Sequence, residues 1–150
     1  MSMRKKLAIA GTAVVAVVLL SGFAFRGGHR WGRDPERIRQ MVSWKLNDKL
    51  DDLDATDAQR QAINAVKDRL FDEGAKLAEE QHAVRSEVVT QLESATPDAQ
   101  RLHALVDERI EAMRAFAHKA TDAALEVHGT LTPEQRKALA TEFRERTGVK

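Results

Sequence analysis

The chain has no cysteine and no tyrosine, only three prolines among its 150 residues, and no surplus of either charge. Without cysteine there are no disulfide staples and no thiolate metal ligands, so the fold must hold by packing. The 24 basic and 23 acidic residues give a net charge of +1. A nucleic-acid-binding chain carries a clear basic excess, so nucleic acid is not an expected partner. The phosphate-cradling patterns GxGxxG and GxxxxGK[ST], the nucleophile elbow GxSxG and any well-spaced nucleophile–base pair are also missing. No catalytic residue can be named, and the chain is not expected to be an enzyme. Nor does any run alternate apolar and polar residues as a strand would.

What is present begins with a leader. Arg4, Lys5 and Lys6 precede a charge-free run from Leu7 to Phe25. That layout is a secretory signal or a signal anchor over residues 1–25. As a helix its 19 residues would reach roughly 28 Å, just enough to cross a bilayer core. Gly22-Phe23-Ala24 offers a small-x-small cleavage site; retention at the inner membrane is the alternative. No cysteine follows Leu20-Ser21-Gly22, which rules out a lipid anchor there. Either way the remainder is expected outside the cytoplasm. Without Arg4, Lys5 and Lys6, the 24 basic residues become 21 against 23 acidic ones.

Residues 26–34 read as a basic, Gly-rich linker, and residues 35–150 as one all-α domain. Asp34-Pro35-Glu36 starts a first helix with a buried stripe of Ile38, Met41, Val42, Leu46, Leu50 and Leu53. Thr56-Asp57-Ala58-Gln59 starts a second, running to Glu93. There Ile63, Leu70, Leu77 and Val84 recur every seven residues, with Val66, Val88 and Leu92 between them. Glu73-Gly74 and Glu80-Gln81 break that seam with polar residues. Ser94 to Thr96 form a turn. A third helix starts at Thr96-Pro97 and runs to His128, closed by Gly129, with Leu102, Val106, Met113, Phe116, Ala120, Ala123 and Val127 on one face. Thr132-Pro133-Glu134-Gln135 opens a fourth, anchored by Leu139 and Phe143 and stopped by Gly148. The expected architecture is four helices, a long antiparallel α-hairpin flanked by two shorter helices. So thin a structure leaves apolar surface uncovered, which a homodimer would bury.

The two joints carry a repeated phrase, Leu53-Asp54-Ala55-Thr56-Asp57-Ala58-Gln59-Arg60 and Leu131-Thr132-Pro133-Glu134-Gln135-Arg136. Thr caps a helix through its hydroxyl, and Gln three residues later reaches back to the cap's own N–H. Over residues 35–147 the chain resembles the LTxxQ-motif family of exported helical proteins, which includes the Spy/CpxP chaperones and the CnrX- and ZraP-like heavy-metal proteins. The second motif fits fully. The first departs in Ala55, where the family usually carries Leu, a change expected to loosen the hydrophobic staple. The resemblance implies a cradle-like homodimer in the periplasm that binds partly unfolded proteins without ATP. Its alternatives are restraint of a membrane stress sensor, or sensing or resistance toward Zn, Ni, Co or Cu.

Thr56, Gln59, Thr132 and Gln135 are read as caps, with partner contact as the alternative. Candidate client contacts are Trp44, Arg60, Lys67, Arg109, Arg114 and Arg136, each weighed against a solvated or, for Trp44, a packed role. A metal such as Zn needs three or more converging donors. No two histidines stand four apart, but folding a hairpin about position 95 sets His118 opposite Glu73 and His82 opposite Glu111. Salt bridges are the plainer reading of those neighbours.

Overall fold

The computed structural model describes residues 34–148. The leader and all of the linker but Asp34 lie outside the described residues. Among these, four helices and no strand are formed: α1 (Pro35–Asp52), α2 (Asp57–Glu93), α3 (Ala99–Thr130) and α4 (Pro133–Thr147). No helix among the described residues is long and apolar enough to cross a membrane.

Each helix starts where a side chain can take an orphan N–H. Asp34 accepts from the Arg37 N–H, Thr56 from Gln59, Asp98 from Arg101 and Thr132 from Gln135. The third start corrects the sequence reading, which placed the cap at Thr96 and Pro97 inside the helix. Thr96 instead lies in a turn, its N–H donating to the Ser94 hydroxyl. Pro97 follows it outside the helix, and Asp98 has its carboxylate 2.9 Å from the Arg101 nitrogen. The link between α2 and α3 is therefore Ser94–Asp98, longer than the expected Ser94–Thr96 turn. Gly129 does not end α3 either. The helix runs on to Thr130 and stops because Leu131 turns extended, ψ 149°.

α1 ends differently. Asp54 adopts φ +50°, the left-handed region. The Ala55 N–H then reaches the Leu50 carbonyl and the Asp54 N–H the Asp51 carbonyl, both at 3.0 Å. This is a Schellman closure, with Ala55 and Leu50 both buried beneath it.

α2 and α3 form the hairpin, about 55 Å and 48 Å long at 1.5 Å per residue. Its core occupies the half nearest the two motif joints. Leu46, Leu50, Ala55, Ile63, Val66, Leu70, Phe116, Ala120, Ala123, Val127 and Leu131 form one cluster, with Leu77 and Leu139 packed against it. Ala55, the departure from the family pattern, sits inside that cluster. α1 lies against α2 through the Arg39 guanidinium, 4.6 Å from the centre of the Phe71 ring, and the Lys67–Ser43 hydrogen bond at 2.8 Å.

Register errors show where periodicity misleads. Val106, expected inside, is 56 % exposed, while its neighbour Leu105 is 3 % exposed. Met41, Leu92 and Phe143 are likewise exposed rather than buried, and Phe71, left off the stripe, is buried. Of the polar break, Gly74 is buried in α2, whereas Glu73 leans out to Lys119 at 2.6 Å.

Candidate binding surface

The two motif joints meet. Thr56 and Gln59 form a complete capping box, and so do Thr132 and Gln135. The side-chain amides then face each other. Gln59 Nε2 donates to Gln135 Oε1 at 2.9 Å, and Gln135 Nε2 to Gln59 Oε1 at 3.3 Å. Each Nε2 has a second acceptor at the opposite joint: Gln59 reaches the Thr130 carbonyl at 2.9 Å, and Gln135 the Leu53 carbonyl at 3.0 Å. Each Oε1 also accepts its own cap's N–H, from Thr56 at 3.0 Å and Thr132 at 2.9 Å. Both carboxamides are thus fully used, two donors and two acceptors each. Such saturation fits a structural role and leaves neither amide spare for a ligand.

The joint that follows α1 is tied further. Arg60 donates from Nε to the Ala55 carbonyl at 3.0 Å and pairs with Asp51 at 2.6 Å. Arg136, its counterpart at the second joint, has a buried Nε without a partner. Lys49 is 8 % exposed and pairs with Glu142, which fastens α4 to α1.

One long face of the hairpin is laced with ion pairs between its arms. Arg69 pairs with Glu126, Glu73 with Lys119, and Arg101 grips Glu87 through two nitrogens at 2.5 and 2.8 Å while also reaching Glu108 at 2.8 Å. At 100° per residue, Arg69, Glu73 and Glu87 share one stripe of α2, and Arg101, Glu108, Lys119 and Glu126 one stripe of α3. The Lys119 and Arg101 hydrogen bonds hold the Glu73 and Glu87 carboxyls below the usual carboxylate range.

The apolar residues lie on the far side. Val89 and Leu92 fall about 140–160° around α2 from the Arg69 stripe, and Val106 and Ile110 about 140–180° around α3 from Arg101. All four are more than half exposed. Val89 stands 18 residues, five turns, beyond Phe71 on the stripe that α1 covers. α1 begins only at Pro35, with Arg39 over Phe71 and paired to Asp72. It therefore covers the near half of this face, and among the described residues nothing covers the distal half.

The residues singled out from sequence separate accordingly. Lys67 is half-buried and committed to Ser43, Asn64 and Asp68. Arg114 is exposed and paired with Glu111 one turn away. Trp44 is 65 % exposed on α1. Arg109 donates to the Leu77 carbonyl across the hairpin at 3.3 Å. Burial biases Arg109 against its charge; Glu80 offsets this and Arg85 adds to it. His82 and His118 are exposed. Among the described residues no group of three or more His, Asp or Glu is placed to hold a metal ion. Glu73, expected opposite His118, is engaged by Lys119, and Glu111, expected opposite His82, by Arg114. The distal stripe is hidden in the sequence because Leu92 and Val106 read as residues of the buried faces, while Val89 and Ile110 stand on none of the expected stripes.

No curated protein and no solved structure is matched by the chain. A family model described as LTXXQ motif family protein matches residues 41–143, from the middle of α1 to Phe143 near the end of α4. The span takes in both capping boxes and the hairpin between them, and the chain belongs to the LTXXQ motif family.

Proposed function

We propose that the chain is an ATP-independent, chaperone-like protein of the cell envelope, exported to the periplasm, that holds partly unfolded proteins. One observation carries this reading: the bare apolar stripe of Val89, Leu92, Val106 and Ile110 beside a hairpin face closed by ion pairs. Exposed apolar side chains gathered on one face of a hairpin offer an interaction site. Four aliphatic side chains set among charged ones bind weakly, and weak binding lets a client leave and fold.

Two copies joined as a dimer would double the surface, in keeping with the cradle that family resemblance implies. Family membership supports an envelope location and a binding role without choosing a client. The test is aggregation of a reduced or heated client protein followed by light scattering. Suppression at near-stoichiometric amounts without ATP is the expected result. No effect at several-fold excess would refute the reading.

A further inference from the structure

Resting on the envelope location in that reading, and independent of the distal stripe, we infer that residues 7–25 stay in the membrane as an anchor and that the outward face of the first turns of α1 lies on an anionic lipid surface.

That face has the make-up of an interfacial helix. At 100° per residue, Arg37, Gln40, Met41 and Trp44 fall within about 60° of one line along α1, on the side away from buried Val42 and Leu46. All four are exposed, Trp44 at 65 % and Met41 at 50 %. Trp is a side chain that settles at headgroup depth, and basic residues beside it meet lipid phosphate. Asp48 and Asp51 continue the same line toward the other end of the helix.

Charge sets which end of α1 meets the lipid. Residues 26–45 hold six basic and two acidic residues, whereas residues 48–57 hold five acidic and one basic. Arg39 is spent on Asp72 and Asp68, and the basic excess remains without it. A basic stretch next to an apolar run is drawn to anionic headgroups, and an acidic helix end is turned away from them. A second copy of the chain, or a client segment, would also cover Trp44, but neither calls for this gradient of charge away from the leader.

Chain length brings the surface within reach. Nine peptide steps join Phe25 to Asp34, at most about 32 Å when fully extended. The 18 residues of α1 span about 27 Å. The helix therefore stays close to the bilayer, and so short a tether gives weak surface contacts a high effective concentration.

Trp31→Phe leaves Trp44 as the one tryptophan of a full-length chain that has two. The variant is reconstituted into vesicles of phosphatidylethanolamine and phosphatidylglycerol, or of phosphatidylcholine alone, each with and without bromine-labelled acyl chains. Trp44 emission is expected to be quenched in the phosphatidylglycerol vesicles, and to escape quenching in phosphatidylcholine or at high salt. Arg37→Gln should weaken the contact about fivefold, the share of one basic residue near an anionic surface; circular dichroism checks that the helices are kept. Trp44 unquenched in the phosphatidylglycerol vesicles, or quenched equally in both, overturns the inference. So does shielding of Trp44 from aqueous iodide that grows with protein concentration and not with anionic lipid, the mark of a second copy. Recovery of the chain from cells in soluble form without its leader overturns it as well. If Trp44 stays in water while aggregation is still suppressed, this inference alone falls. If Trp44 is quenched while aggregation proceeds, the chaperone reading falls and the membrane contact stands.

Discussion

Gln59 and Gln135, 76 positions apart, trade hydrogen bonds through their side-chain amides while each completes the capping box of its own helix. One motif therefore does two jobs. Locally it starts a helix; across the molecule it fixes the α1–α2 joint to the α3–α4 joint. Thr130 and Leu53, whose carbonyls lie at the ends of the helices preceding each joint, are satisfied from the opposite side.

That arrangement predicts strong coupling. Gln59→Ala and Gln135→Ala should each cost about 1–3 kcal/mol, since each leaves a carbonyl and a facing amide short of a partner. The double variant should cost less than the two losses added, by about 1 kcal/mol. Urea unfolding of the four proteins measures this; additive losses would show that the two amides act separately.

The closure of α1 predicts a gain. Asp54 holds φ +50°, a conformation glycine adopts without strain. Asp54→Gly should raise stability by up to about 1 kcal/mol, the left-handed penalty less the extra entropy of an unfolded glycine. Thermal unfolding reads the shift, and a lower midpoint would contradict the Schellman geometry described.

The register of α3 is equally testable. Leu105→Ala should cost about 2–4 kcal/mol, as buried leucines do. Val106→Ala, at an exposed position, should stay within about 0.5 kcal/mol. Comparable losses at the two sites would mean that α3 is rotated by one residue.

Much of the fold was legible because its signals are local. Thr56 and Thr132 lead their helices with all the atoms a cap needs within four residues, and Gly148, at φ +68°, ends α4 as expected. Thr96-Pro97 offers a capping threonine followed by proline, yet Asp98 two residues later is the cap used, and local pattern does not rank the two. Leu105 and Val106 both fit a helical stripe; only the facing arm decides between them. The commitments of Arg60 to Asp51, Lys67 to Ser43 and Glu73 to Lys119 join different helices. No spacing rule within one helix could reveal them, so Arg60 and Lys67, which read as client contacts, are found engaged within the chain. The pairing of Gln59 with Gln135 was legible only as a repeat, since the contact depends on both joints meeting.

Acid should loosen the hairpin tip first. Glu87 and Glu73 have folded-state pKa values lowered by their bonds to Arg101 and Lys119. A lowered carboxylate contributes stability that is fully present above its unfolded value, about 4.3 for Glu, and lost as pH falls through the folded one. Amide hydrogen exchange, corrected for its intrinsic pH dependence, should show residues 85–103 losing protection as the pH falls below the ordinary Glu value of about 4.3, while the base around Ile63 and Val127 keeps it. Glu87→Gln should show the loosened tip already at neutral pH. Uniform loss along the hairpin would contradict this.

The central claim is that the bare stripe, and not the ion-paired face, meets unfolded protein. A photo-crosslinking residue placed at Ile110 or at Glu108, on opposite sides of α3, tests it directly in the presence of a reduced client. The account predicts client adducts from position 110 and few from position 108. Adducts favouring position 108, equal yields from both, or only self-adducts at position 110 would contradict it.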